Sequence, residues 1–426
     1  MQENNRYRGN RAVNHVLGEM TMDVIYERCC GLDIHKASIT SCVLVGRKKE
    51  IRTFKTMTGD LLEMTAYLKE RGVQMTAMES TGSFWKPIFN IMEVEGVPAI
   101  LVNAAHIKNV PGRKTDVKDA EWIADCLKHG LLKPSFVKPR DQRELCELVR
   151  YRGSMIEERS REYNRMDKVL QGANIKLTSV ASSISTVSGI NMVRAICNGV
   201  EDPAVLAAMA KGHMRSKTEE LKRALKGLVA PHQKMILKAM LDHIDQLNVL
   251  INDLDAEIEN RMSQDVDLVE ALDEITGVGK ISAQTIIAEI GTDMERFPTA
   301  ENLASWACMC PETKESAGKK KPSKTKKANS TLKKTLVQCG RAAANCKDTY
   351  LNSQYRRIAT RQGANRAAVA VGHSILVICY HMIKNGTRYN DLGADFFQTR
   401  NRESLIRQNV KRLQSLGFNV TLEEVA

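Results

Sequence analysis

The feature that most constrains how this chain folds is an abrupt change of texture at Pro139. Before it, ITSCVLVG after Asp33, MTAM before Glu79 and VPAILVNA after Gly96 are short apolar runs bounded by Gly, Pro or charge, and they read as buried strands. Between them, LLEMTAYLKERG and WKPIFNIMEVEG carry apolar residues at helical spacing and stop at Gly. After Pro139, DQRELCELVRYRGSMIEERSREYNRMDKVLQ is charged, free of Pro and striped by Leu145, Leu148, Val149 and Met155, which is the pattern of a long amphipathic helix. The expected fold class is therefore α/β followed by all-α. A chain of 426 residues exceeds what one core organises and implies about two or three domains. The expected boundaries are an N-terminal extension over 1–26, an α/β domain over 27–138, a helical and coiled-coil domain over 139–265 and a C-terminal domain over 266–426.

Within the helical part, Leu237, Ile244, Ile251 and Ile258 fall at a-type positions and Met240, Leu247 and Leu254 at d-type positions of a heptad. Such a seam serves a dimer or an antiparallel pairing with the 141–171 helix of the same chain, and the spacing leaves both open. Residues 170–232 read as short helices after a Ser/Thr-rich patch. The uncharged run from Ala367 to Ile383 is shorter than the ~20 apolar residues a membrane span needs and reads as a buried core helix.

Four acids stand where an α/β sheet presents catalytic groups: Asp33 in CGLDIHK, Glu79 in AMEST, and Asp116 with Asp119 in KTDVKDA. If KTDVKDAEWIADCL is helical, Asp116 and Asp119 project from one face. Four carboxylates in one cleft repel one another unless a hard divalent cation such as Mg²⁺ joins them. Taken singly, each acid has a plainer reading as a solvated helix start or loop residue.

A net charge of +13 points to a polyanionic partner, and nucleic acid is the commonest for such a chain. Aromatic residues make up only 5 %, so phosphate contacts outweigh base stacking as the source of affinity. Thr276-Gly277-Val278-Gly279-Lys280 lies between two helical segments, as in a helix-hairpin-helix grip, where Gly277, Gly279 and Lys280 would approach a phosphate; any tight turn has the same signature. From Pro311 to Lys334 a lysine run that includes Lys319, Lys320 and Lys321 surrounds Ser316. That run is either a solvated loop or the setting of a nucleophilic serine against a phosphodiester. The eleven cysteines show no zinc-type spacing and read as reduced, mostly buried thiols. The charged start MQENNRYRGNRAVNH has no apolar leader, so a cytoplasmic, nucleoid-associated protein without a membrane partner is expected.

The motifs GLDIHK, MESTGSFW, LVNAAHIKNVPGRKTDVKDAEWIADCLKHG, ITGVGKISAQTIIAEIG, ASWACMCPETKES and ANSTLKKTLVQCGRAA together resemble the DEDD transposases of insertion sequences, the bridge-RNA-guided recombinases related to Piv-type invertases. The resemblance implies a RuvC-like, ribonuclease-H-type N-terminal domain in which Asp33, Glu79, Asp116 and Asp119 hold Mg²⁺. It also implies a helical coiled-coil section and a mainly helical C-terminal transposase domain that supplies Ser316 as nucleophile. The partners it implies are donor and target DNA, a structured non-coding guide RNA, and further copies of the chain, up to a tetramer with active sites assembled from different subunits. This sequence departs from the family where Ala317 separates Ser316 from Gly318 and where ACMCP replaces Gly-Leu-x-Pro, which leaves Ser323 and Ser330 as alternative nucleophiles. Two other functions stay open on the residues alone: a hydrolytic junction resolvase or nuclease that uses the four acids with water, and a non-catalytic nucleic-acid-binding scaffold. A sugar-kinase-like ATPase is disfavoured, because no Gly-rich phosphate turn follows the first strand.

Overall fold

A computed structural model describes residues 24–80, 82–103, 119–311, 314–316, 319–321, 330–400 and 402–422. The chain divides into two compact units, Met1–Lys138 and Pro139–Ala426.

In the first unit, β1 (Arg28–Ile34), β2 (Ser38–Val45) and β3 (Lys48–Lys55) form an antiparallel meander. Gly46, at φ +58°, supplies the left-handed backbone for the tight turn between β2 and β3. Helix α1 (Thr58–Glu70) then leads to β4 (Met75–Glu79), parallel to β1, and α2 (Trp85–Val94) leads to β5 (Ala99–Val102), parallel to β4. The strand order is β3-β2-β1-β4-β5. Alternation sorts the side chains onto two faces. On one face, Cys30, Leu32, Ile39, Val43 and Met78 pack under Leu61, Met64 and Leu68 of α1 and Ile88 and Met92 of α2. On the other, Cys29, Ala77 and Val102 meet Trp122, Ile123, Cys126 and Leu127 of α3 (Asp119–Lys128). Burial pushes the thiols of Cys29, Cys42 and Cys126 up to about 11, so they sit in this core as neutral, unreactive groups.

Among the described residues the second unit is helical except for a short hairpin. Its spine is α4 (Arg140–Gly172), 33 residues long, against a 31-residue partner reached through α5 (Val187–Cys197), α6 (Pro203–Ala208) and α7 (Thr218–Ala224). That partner, α8 (Pro231–Arg261), runs antiparallel to α4. The polar ties show the direction: Glu144 pairs with Arg261, Arg152 with Asp255, Arg159 with Asn248 and Glu162 with His243. The heptad seam is thus occupied within the chain. Leu237, Ile244, Leu247, Ile251 and Ile258 are buried, as is Leu241, whereas Met240 and Leu254 are half-buried. The seam drifts by a residue because a nearly straight helix has 3.6 residues per turn and a heptad demands 3.5. At one end of the spine, α5 to α7 close a core around Met166, Leu170, Leu237 and Leu241.

At the other end lie α9 (Val266–Asp273), α10 (Lys280–Ile290), α11 (Ala300–Trp306), the hairpin β6 (Lys314–Ser316) and β7 (Lys319–Lys321), α12 (Ser330–Ala343), α13 (Tyr350–Gln362), α14 (Ala364–Asn385), α15 (Phe396–Arg400) and α16 (Arg402–Ser415). One ion pair and one hydrogen bond tie α10 to the spine. Arg150 donates to both carboxylate oxygens of fully buried Glu289 at 2.7 and 2.9 Å, and Arg152, 1 % exposed, donates to Asp255 and to Gln284 Oε1 at 2.8 and 2.6 Å. Removing one partner of such a pair strands a charge in the interior, at a cost of about 3–5 kcal/mol. Among the described residues α14 alone has the length and composition of a membrane span, yet Val371, Ile375, Leu376, Cys379 and Tyr380 along it are core residues.

The departure at ACMCP keeps the backbone that glycine would make. Cys308, at φ +54°, occupies the left-handed position after α11. Its N–H bonds Ser305 O and the Met309 N–H bonds Ala304 O, the two hydrogen bonds of a Schellman cap. A residue with a side chain in that conformation costs about 1–2 kcal/mol, and the burial of Cys308 and Met309 offsets it.

Candidate active site and nucleic-acid interface

In the first unit, Asp33 stands near the end of β1 and Glu79 is the last residue of β4. The parallel register pairs Gly31 with Ala77 and Leu32 with Met78, so its continuation sets Asp33 beside Glu79. Both share the face of Cys29, Gly31, Met75 and Ala77, the face that α3 covers. Asp119 is the first residue of α3, and Ala120 and Ala124 press on the sheet at Gly31. Asp33 and Glu79 therefore share one face and one end of the sheet, and Asp119 opens the helix that covers that face. Asp116 lies outside the described residues. No group of three His, Cys, Asp or Glu stands ready to hold a metal ion among the described residues.

Two residues that sequence reasoning gave no role bear on this arrangement. His35 Nε2 lies 3.2 Å from Asp33 Oδ2, so the imidazole neighbours this carboxylate. Gly31 is the second. A Cβ at Gly31 would lie 2.2 Å from Ala120 O and 2.4 Å from Ala124 N, both backbone atoms of α3, so only glycine lets that helix descend onto the strand. A glycine in a strand interior was the available signal. Gly31→Ala is expected to lift α3 and destabilise it by about 3 kcal/mol, the upper end of overpacking costs, because backbone rather than a flexible side chain must yield. Hydrogen exchange at α3 amides, faster by about two orders of magnitude, is the measurement.

In the second unit, the Gly turn joins α9 to α10. Gly277 has φ +87°, and a Cβ there would lie 2.5 Å from Cys339 O and 2.6 Å from Ala343 N, so this glycine serves packing against α12. Gly279 caps α10 with open space around it, and Lys280 reaches Glu259 at 2.7 Å. Asp391 ties the turn to the next helices: it accepts from Thr276 Oγ1, Tyr389 OH and the N–H groups of Tyr350 and Gly393. The lysine run contains a three-rung antiparallel ladder rather than loop alone, with Ser316 last in β6 and paired by register with Lys319. Lys320 and Lys321 continue β7, Ser330 opens α12, and Ser323 lies outside the described residues.

Comparison with known proteins finds two matched stretches of the chain. A DEDD transposase family of the IS110 kind matches residues 30–175, from β1 through α4, and the transposase IS116/IS110/IS902 family matches residues 269–356, from α9 into α13. The chain carries IS110/IS116-family transposase domains. Its relatives include a probable family 20 transposase of Pseudomonas aeruginosa, 24 % identical over 320 residues that make up 74 % of this chain and 85 % of that protein. A transposase for insertion sequence element IS1328 of Yersinia enterocolitica is 23 % identical over 293 residues, 66 % of this chain and 75 % of its own. The transposase is thus an enzyme whose first matched region contains all four acids and whose second contains Ser316 and the Gly turn.

Proposed function

We propose that the transposase is the recombinase of an insertion sequence, joining donor and target DNA under the guidance of a structured non-coding RNA. The observation that carries this reading is the placement of Asp33 and Glu79 side by side on the sheet face over which α3 seats Asp119. The meander followed by two parallel strands supports a RuvC-like, ribonuclease-H-type domain.

An all-carboxylate donor set suits a hard divalent ion, and Asp33, Glu79, Asp116 and Asp119 would hold Mg²⁺. Bound there, such an ion supplies charge stabilisation at a scissile phosphate. The chain's own groups do the remaining work. The sheet ends fix two carboxylates rigidly, and α3, let in by Gly31, fixes a third. The Ser316 Oγ attacks phosphorus: a phosphoserine ester forms, the bond from phosphorus to a sugar oxygen breaks, the serine proton passes to solvent and the departing oxygen takes one up. In the second step a sugar hydroxyl of the other strand displaces Oγ, so each cleavage conserves a phosphodiester for joining. Pairing by the guide would select the sites while the protein reads backbone and shape. A tetramer that shares active-site parts between subunits follows from the same reading.

The test is recombination in vitro between donor and target DNA with and without RNA transcribed from the non-coding DNA beside the coding region. Joining that requires the RNA is the expected result; equal joining without it contradicts guidance.

A further inference from the structure

From Ser316 to Asn390 the chain contains a single acidic residue, Asp348, amid many lysines and arginines. On the spine, by contrast, arginines are matched to carboxylates, as in Arg140 with Glu144, Arg161 with Glu158 and Arg165 with Glu162. On and beside α13 the cations are unmatched. Lys347, Arg356, Arg361 and Arg366 are exposed and have no side-chain hydrogen bond or ion pair among the described residues.

Two of these side chains, Lys347 and Arg356, converge with Arg357 on a cleft of about 680 Å³ between α13 and the start of α15. Ser353, Arg356, Arg357 and Thr360 line it from one helical face, with Lys347 at the rim. The guanidinium of Arg357 lies 4.3 Å from the ring centroid of Phe397, which itself stacks on Tyr350 at 5.1 Å and 19°. That stack holds the guanidinium plane in place before any ligand arrives, so little side-chain freedom is lost on binding. The cleft also contains Asp348 and Asp395, leaving the α13 wall as its positive side.

A row of cations that form no ion pair is a phosphate-binding surface. Its concavity and its fixed arginine–aromatic stack distinguish the two forms of nucleic acid. A duplex offers a convex rod read by elements that protrude into its grooves, whereas unpaired nucleotides enter clefts and stack on arginine planes and rings. We propose that this cleft binds an unpaired nucleic-acid strand, with Arg356 and Arg357 on successive phosphates and the Arg357–Phe397 stack as a platform for a base. The proposal rests on the reading that the transposase handles nucleic acid; ribose and deoxyribose strands share the chemistry it names.

The experiment compares the full-length protein with the Arg356→Gln/Arg357→Gln variant and with Lys347→Gln, which changes no helix residue. Fluorescence anisotropy follows labelled oligo-U, oligo-dT and a matched duplex over a range of salt concentrations. For the double variant, single-strand affinity is expected to fall about tenfold or more, and the salt slope by ~1.4, which is ~0.7 for each phosphate no longer neutralised. Lys347→Gln should give a smaller fall of the same kind, and duplex affinity should stay within about twofold. The strand type whose binding weakens more names the sugar. Unchanged single-strand affinity, or an equal fall on the duplex, overturns the cleft assignment while wild-type binding upholds the wider reading. Wild-type protein that binds no polynucleotide overturns both.

Discussion

Asp119→Asn is expected to lower DNA recombination by about 10³-fold or more while leaving the fold and nucleic-acid binding within about twofold of wild type. Asparagine is the instructive replacement. Asp119 opens α3, where an acid favours the helix dipole by about 0.3–1 kcal/mol and where Asn serves a helix start nearly as well, so a purely structural role predicts almost no change. Loss of a charge that steadies the reacting phosphate is worth ~4 kcal/mol or more, hence the three orders of magnitude. Asp33→Asn should behave likewise, since Asp33 shares the face and the strand end with Glu79. Recombination by Asp119→Asn within tenfold of wild type would contradict the carboxylate site.

The parts of the fold legible in the sequence were those whose signal is local. β2, β4 and β5 are apolar runs bounded by turn residues, and they stand where those runs lie. β3 escaped notice because it is an edge strand, exposed at every position except Phe54, so KKEIRTFK carries no alternation of apolar and polar residues. β1 was hidden by Gly31 and Asp33, two residues poor in strand propensity, of which Gly31 admits the close approach of α3. The heptad was plain from its spacing, but its partner was not, because an antiparallel helix of the same chain and a second copy satisfy one apolar stripe equally well. Gly277 shows the converse limit. Its freedom was legible, whereas its cause, the backbone of α12, is a long-range contact that no local pattern encodes. The α13 cleft likewise joins Arg356 to Phe397, and only folding brings the two segments together.

The serine assignment separates a recombinase from a nuclease built on the same acids. Ser316 ends a short strand in a run of lysines, and Ser323 and Ser330 follow within the same basic stretch. With water as the attacker, cleavage leaves free ends; with Ser316, the energy of the broken ester is retained in a phosphoserine bond, and protein stays attached to DNA until a second strand displaces it. The most direct measurement is the protein–DNA adduct formed on a suicide substrate whose cleaved strand diffuses away, so that the second step cannot occur. Wild-type protein, Ser323→Ala and Ser330→Ala are predicted to give a covalent band of shifted mobility that maps to Ser316, and Ser316→Ala is predicted to give none. An adduct that survives in Ser316→Ala, or wild-type cleavage with no adduct at all, would contradict the account.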